Sequence, residues 1–275
     1  MIFSLYALGI EIASPHVGAG QDQATNNFIA IERFVYDGPV PEAAIVGSSL
    51  SRRIPDAALG ARIANLALVG KNPLVGLRII ARSGRVPRRV FIEINGVGQP
   101  VDNVLLDQIF AEPRYSLKRY IKALRVTFKP ANVVVSFVRR MTGVRDSAYF
   151  PKLTNEELHQ ALIARWRGPL DQPPDPARLA DNIAEMERLA GALTARGAQP
   201  VFFEMPIEPM LEDAPGVLAI RQAAHTAFPA DRWCWNDTAA PAGLPTRDGL
   251  HLDSDTAAQI GSALIQTACH APQPH

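Results

Sequence analysis

Ile45-Val46-Gly47-Ser48-Ser49-Leu50-Ser51 is the stretch from which the fold can be worked out. The short apolar run of residues 43–46 suits a strand that is buried on both faces of a sheet. Gly47 permits a sharp turn, and small hydroxyl residues follow where the strand would end. Ligands and catalytic groups collect at the carboxyl ends of strands in an open α/β sheet, so Ser49 is a candidate nucleophile. The alternative is that Ser48 and Ser49 only cap a helix.

Asp248 and His251, near the other end of the chain, are suited to activate such a serine. A serine hydroxyl is a poor nucleophile until a base takes its proton, and the pKa of histidine suits that role near neutral pH. A carboxylate can hold the imidazole in one tautomer by accepting a hydrogen bond from its other nitrogen. Gly249 lets the short loop between them fold tightly. The alternative is an exposed loop that precedes a helix capped by Asp253.

Five apolar runs alternate with helical patterns along the chain. The runs are predicted as strands, and the segments between them repeat apolar residues at helical spacing. This alternation predicts an α/β fold, a three-layer α/β/α sandwich with a five-stranded, mainly parallel sheet. The predicted strands are residues 43–46, 62–68, 89–95, 200–205 and 232–236.

Short blocks spread over roughly residues 43–268 resemble those of the SGNH, or GDSL, hydrolase family. Residues 47–50 are similar to the family's Gly-Asp-Ser-Leu block, and residues 248–251 are similar to its Asp-x-x-His block. The resemblance implies a flavodoxin-like hydrolase fold. It also implies that Ser49 is the nucleophile, His251 the base and Asp248 the residue that orients the base.

Two inner blocks are implied to supply the oxyanion hole together with the amide of Ser49. Residues 65–70 are similar to the family's Asn-x-x-x-x-Gly segment, in which the last residue, here Gly70, donates a backbone N–H. Asn95 lies where the family places an asparagine whose side-chain amide is a further donor. This third block normally reads Gly-x-Asn-Asp, whereas here Ile94 precedes Asn95 and Gly96 follows it.

The first block also departs from the family, because Ser48 stands where Asp is usual. The resulting Gly-Ser-Ser is similar to a divergent branch that handles acyl groups in bacterial cell envelopes, including DltD-like and AlgX- or AlgJ-like proteins. The resemblance implies a serine esterase or O-acyltransferase that forms an acyl-enzyme on Ser49, acts on O-acyl groups of an envelope glycan and uses no cofactor. The altered blocks favour an alternative, a catalytically inactive SGNH-like protein that binds a glycan or acts as scaffold for a membrane acyltransferase.

The implied hydrolase-like domain is residues 43–275, with a helical insertion at about residues 100–170 and an N-terminal lead-in at residues 1–42. Residues 1–10 are apolar, but a membrane-spanning helix needs about 20 such residues. A basic region typical of secretory signals is missing from them. They are interpreted as the tail of a membrane anchor or as a helix packed on the domain. The implied location is the bacterial cell envelope or periplasm, with the cytoplasm as the alternative.

Basic residues are concentrated in one part of a chain whose net charge is only +1. Residues 82–145 hold 13 Lys and Arg against 4 Asp and Glu. Within them, residues 115–128 are predicted as one amphipathic basic helix that Pro130 ends. It would contact a membrane surface or an acidic polymer, or else pack on the core with a solvated basic face. Nucleic acid is not an expected partner, because no binding motif accompanies the charge.

The remaining reactive side chains carry weaker signals. The two cysteines, Cys234 and Cys269, form no Cys-x-x-Cys motif, so no metal site is predicted; they are either a disulfide or buried free thiols. Glu93 interrupts a strand and is interpreted as the partner of an arginine, with a buried acid near the site as the alternative. The other histidines have no acid or serine at a telling spacing and receive no role: His16, His159, His225, His270 and His275.

Overall fold

The computed structural model describes residues 2–17, 20, 22–142, 154–236 and 246–266 of the 275-residue chain. The chain forms two compact units. The first comprises residues 1–39 and 102–149, and the second comprises residues 40–101 and 150–275. The second unit carries the sheet and all the residues for which a catalytic role is expected.

Five strands form one parallel sheet, as the sequence predicts. Their order is β2-β1-β3-β4-β5, which is the flavodoxin-like order. Every residue of β1 is buried, and so are the last four residues of β3 and of β4, because helices cover both faces. The strands are β1 Ala43–Val46, β2 Ile63–Asn65, β3 Arg89–Glu93, β4 Gln199–Phe203 and β5 Cys234–Asn236.

The order of the strands reverses between β1 and β3. The chain passes from β1 to β2 on one side and then crosses to β3 on the other. Ligands of doubly wound folds bind at such a reversal, outside the carboxyl ends of the strands. Ser49 follows β1 and Asn95 follows β3, so the topology brings the first and third sequence blocks to the same end of the sheet.

Helices on the two faces make the second unit a three-layer sandwich, as predicted. On one face, α5 packs on β1 and α10 packs on β4. On the other face, Ile45 and Phe91 of the sheet join one apolar cluster with residues of α4 and α13. Helices are numbered along the whole chain; those of this unit are α3 Ser49–Arg52, α4 Asp56–Leu59, α5 Pro73–Ser83, α9 Glu156–Leu170, α10 Pro176–Thr194, α11 Pro209–Glu212, α12 Pro215–Ala227 and α13 Ser254–Ile265.

Two buried asparagines hold the loop that follows β3. Asn72 caps α5 by accepting from the Leu74 amide at 2.9 Å, and its Nδ2 donates to the carbonyl of Val97 at 3.0 Å. Asn182 of α10 donates to the same carbonyl at 2.7 Å. A Cβ on Gly96 in this loop would lie only 3.0 Å from the Cβ of Ser48. The loop is therefore held in close contact with the turn that carries Ser49.

The first unit is helical and has a small apolar core of its own. The core contains Ile10, Val17, Ile29 and Phe128. Residues 1–42, predicted as a lead-in, contribute two helices to this unit. In the described ranges no helix combines the length and apolar character that crossing a membrane requires. The helices are α1 Ile2–Ala13, α2 Gln23–Tyr36, α6 Asn103–Ile109, α7 Arg114–Tyr120 and α8 Pro130–Thr142.

The prediction of a single basic helix over residues 115–128 is wrong. Helix α7 ends at Tyr120, and two 3-10 turns follow at 122–124 and 126–128. Pro130, which was expected to end the predicted helix, is the first residue of α8. The cause is the buried carboxylate of Glu32, which accepts hydrogen bonds from the Thr127 amide at 2.8 Å and from Lys118 Nζ at 2.9 Å. These tertiary hydrogen bonds replace helical ones. They also pair the charge of Lys118, which the predicted helix would have exposed, with the carboxylate of Glu32.

Candidate active site

The turn after β1 is built on a buried carboxyl. Glu93, the last residue of β3, is inaccessible to solvent and accepts hydrogen bonds from the amides of Ser48 at 3.0 Å and Ser51 at 3.1 Å. It also accepts from the hydroxyls of both serines. A Cβ on Gly47 would lie 2.4 Å from Glu93 Oε2, so only glycine allows the carboxyl to approach this closely.

Burial raises the pKa of the Glu93 carboxyl above its usual range, although the four hydrogen bonds favour its ionised form. The interpretation of Glu93 as the partner of an arginine is therefore wrong. The alternative, a buried acid near the site, is what the structure has.

The amides of Ser48, Leu50 and Ser51 in this turn are hydrogen-bonded, and that of Ser49 is not hydrogen-bonded within the described ranges. The amides of Ser48 and Ser51 go to Glu93, and the Leu50 amide goes to the side chain of Ser48, which caps α3. Ser49 is the first residue of α3, and in the described part of the chain its amide makes no hydrogen bond. The first amides of a helix point outward and favour negative charge. The Ser49 amide thus lies at the start of α3 without a hydrogen-bond partner among the described residues.

Ser49, His251 and Asp248 meet in a hydrogen-bonded chain. His251 Nε2 lies 2.9 Å from Ser49 Oγ, and His251 Nδ1 lies 2.9 Å from Asp248 Oδ2. A carboxylate only accepts, so Nδ1 carries the hydrogen and Nε2 is left to accept from the serine hydroxyl. His251 is buried and Ser49 is partly exposed, which gives a reagent access to the hydroxyl and shields the base. The structure brings together all three residues that the sequence singles out.

Asp248 is held in its ionised form. Burial opposes ionisation, but the hydrogen bond from the His251 side chain, the charge that this side chain carries when it is protonated, and the bonds from the amides of His251 and Leu250 outweigh it. Together they hold the pKa of Asp248 at about 2. The carboxylate is therefore ionised near neutral pH and available to orient the imidazole.

The Arg53 guanidinium lies near Asp248. Burial lowers the pKa of the Arg53 guanidinium to about 10; the nearby Asp248 carboxylate acts in the opposite direction, and the Arg247 guanidinium adds to the lowering. Arg53 directly follows α3, and Arg247 directly precedes Asp248. Arg53 is therefore close enough to Asp248 and to Arg247 for the charges of both to act on it.

The residues expected in the oxyanion hole have different surroundings. Gly70 is exposed in a turn and has a φ of 70°, which favours glycine. Asn95 donates from Nδ2 to the Met205 carbonyl at 2.9 Å and accepts from the Met205 amide at 2.8 Å. That pair joins the ends of β3 and β4 and uses one of the two amide hydrogens. Asn65 donates to the carbonyls of Ser51 and Ile54, each at 3.0 Å, and so anchors the nucleophile turn.

Three residues near the triad were missed or misread from the sequence. Glu93 lies beneath the nucleophile turn, His159 reaches the loop that carries His251, and the ring of Trp166 lies edge-on to that of His251 with 6.2 Å between centroids. The sequence does indicate that His159 and Trp166 lie on the same side of a helix, because they are seven positions apart.

In the described ranges the structure contains no group of three or more His, Cys, Asp or Glu able to hold a metal ion. Cys234 lies in β5 and is not a free thiol, so the free-thiol alternative is wrong for it. Cys269 and any pairing of it lie outside the described residues. Comparison of the chain with protein-family models, with curated proteins and with solved structures gives no match. The geometry of the site and the resemblance of its short blocks are therefore what an assignment of function can rest on.

Proposed function

We propose that this protein is a serine-dependent acyl-ester hydrolase or acyltransferase of the SGNH type. The single observation that carries the proposal is the 2.9 Å approach of His251 Nε2 to Ser49 Oγ, with Asp248 on the other side of the imidazole. A nucleophile, a base and a group that orients the base, within hydrogen-bond reach of one another, form the signature of an activated serine.

The first chemical step forms an acyl-enzyme. Ser49 Oγ attacks the ester carbonyl carbon while its proton passes to His251 Nε2, which gives a tetrahedral intermediate and an imidazolium held by Asp248. The intermediate collapses with cleavage of the ester C–O bond, and the imidazolium returns the proton to the departing alcohol. The acyl group is then bonded to Ser49 Oγ.

The second step transfers the acyl group to an acceptor hydroxyl. His251 removes a proton from water or from a sugar hydroxyl, whose oxygen attacks the acyl carbon, and the bond to Ser49 breaks as the serine regains its proton. Water as acceptor makes the protein an esterase. A sugar as acceptor makes it a transferase, and a membrane acyltransferase is then the proposed partner that supplies the acyl donor.

The oxyanion is proposed to bind the amides of Ser49 and Gly70 and the second amide hydrogen of Asn95. The Ser49 amide is the best supported of these donors because its neighbours in the turn are already used. One donor of this kind contributes about 3 kcal/mol to lowering the barrier.

The proposed substrate is the O-acyl group of a cell-envelope glycan. This choice rests on the Gly-Ser-Ser block, which resembles that of the envelope acyl-handling branch, and the envelope location is proposed on the same ground.

Replacement of the nucleophile tests the proposal. Ser49→Ala is expected to abolish both turnover of p-nitrophenyl acetate and covalent labelling by a fluorophosphonate, with an unchanged melting temperature. Ser262→Ala, in α13 and outside the site, is the matched control and should keep both activities. Labelling of the Ser49→Ala protein equal to that of the wild type, or an inert wild type, would remove the proposal, and an inert wild type would favour the scaffold alternative.

A further inference from the structure

One face of α9 contacts the loop that carries His251. His159, Ile163 and Trp166 are spaced i, i+4 and i+7, so they lie on one side of the helix. His159 reaches Thr246 at the start of the loop, and Trp166 lies against His251 at its end. Between them, a Cβ on Gly249 would come within 2.8 Å of Ile163 Cγ1. The loop is thus in contact with α9 at Thr246, Gly249 and His251.

The hydroxyl of Thr246 is the centre of the contact. It donates to Glu208 Oε2 at 2.9 Å, accepts from the Gly249 amide at 3.1 Å, and lies 3.0 Å from His159 Nε2. A threonine hydroxyl has one hydrogen and two lone pairs, so these three bonds use its full capacity. Because its hydrogen goes to Glu208, it accepts from His159, and His159 carries a hydrogen on Nε2.

Glu208, in the segment after β4, makes a second hydrogen bond to the loop in addition to the one with Thr246. Its amide donates to the carbonyl of Gly249 at 2.9 Å. Its carboxylate lies 3.8 Å from His159 Nε2, so it also faces the histidine that bonds to Thr246. The loop is closed on itself by the Arg247 amide, which donates to the His251 carbonyl at 2.7 Å. A displacement of Thr246 would therefore move His251.

We propose that His159, Thr246 and Glu208 are positioning residues that hold His251 at hydrogen-bonding distance from Ser49. The inference rests on the proposed function, since it assigns these residues to the serine's base. None of the three touches the reacting hydroxyl; they act through the loop. Loss of the network leaves the substrate site in place and lets the imidazole move away from the serine, so it lowers kcat and leaves KM unchanged. A network that served stability alone would leave kcat unchanged.

The chain offers matched variants at two positions. Thr246→Val keeps the shape of the side chain and removes the hydroxyl, whereas Thr246→Ser keeps the hydroxyl. We expect Thr246→Val to lower kcat for p-nitrophenyl acetate and the rate of fluorophosphonate labelling by about 10- to 100-fold with KM unchanged, the size of effect that a small misplacement produces. Thr246→Ser should stay close to the wild type. His159→Phe should behave as Thr246→Val does, and His159→Gln, which keeps an N–H donor, should recover most of the rate.

A measurement that needs no turnover separates this inference from the proposed function. Proton NMR of the His251 imidazole reports its Nδ1 hydrogen bond to Asp248 and can be followed in each variant. If the wild type neither turns over the ester nor is labelled, the proposed function fails, and the network stands only if this resonance shifts in Thr246→Val and not in Thr246→Ser. If the two threonine variants agree in rate and in spectrum, the inference is overturned. If Thr246→Val fails to fold, the two His159 variants decide it by the same criteria.

Discussion

The carboxylate of Asp248 accepts from His251 twice, at 2.7 Å from its backbone amide and at 2.9 Å from its Nδ1. One side chain therefore fixes both the path of the loop and the direction of the imidazole. The three-residue separation makes this possible, because Gly249 between them adopts a φ of 84° that turns the chain back on itself.

Replacement of Asp248 by Asn should abolish most of the activity without unfolding the protein. The amide of Asn can donate to Nδ1, which moves the imidazole hydrogen to Nε2 and leaves no lone pair for the serine proton. In enzymes with a Ser-His-Asp triad this change lowers kcat by about 10⁴-fold, and we expect a similar loss here. Steady-state kinetics with an aryl ester measure it. Asp253→Asn, which preserves the cap of α13, is the control, and a modest loss equal in both variants would contradict the role of Asp248.

Asn95→Ala tests the proposed oxyanion donor. It removes the side-chain N–H proposed to meet the oxyanion, so kcat should fall by about 10²- to 10³-fold with little change in KM. It also leaves the amide and carbonyl of Met205 without their partner, which should cost about 1–3 kcal/mol of stability in urea unfolding. A loss of stability with an unchanged kcat would mean that Asn95 only joins the ends of β3 and β4.

Glu93 should make the stability of the protein depend on pH in a defined direction. A carboxyl whose pKa is raised by folding keeps its proton in the folded chain after the unfolded chain has released its own, at about pH 4.3. Raising the pH from that value towards the folded pKa therefore favours the unfolded chain. The stability of the wild type relative to Glu93→Gln should be greatest near pH 4 and should decline as the pH rises.

Urea unfolding of the two proteins at matched pH values measures this difference, and every other titrating group cancels between them to a first approximation. If the stability of the wild type relative to Glu93→Gln increased with pH, folding would lower the pKa of Glu93 instead of raising it. The four hydrogen bonds from Ser48 and Ser51 would then outweigh burial and hold Glu93 ionised.

The sheet and the three residues Ser49, Asp248 and His251 could be predicted from the sequence because short local patterns indicate both. A buried strand followed by Gly47 and a serine, and Asp248 three residues before His251, are short motifs, and a parallel sheet brings the carboxyl ends of its strands together. The partners of Glu93 are 45 and 42 positions away, and periodicity shows that a residue is buried but not what it meets. The same limit explains the error over residues 115–128, where Glu32 acts from 95 positions away.

Gly249→Ala, compared with Gly84→Ala, separates backbone strain from contact with α9. Both glycines have a positive φ, 84° and 74°, so each substitution should cost about 1–2 kcal/mol of folding stability. A Cβ on Gly84 meets nothing within 4 Å, whereas one on Gly249 would lie 2.8 Å from Ile163 Cγ1 and would push the loop off α9. Gly249→Ala should therefore lose more stability and also lower kcat, while Gly84→Ala keeps the wild-type kcat. Urea unfolding and aryl-ester kinetics on both proteins measure the two effects. Equal losses of stability with two unchanged values of kcat would show that the fit of the loop against Ile163 does not position His251.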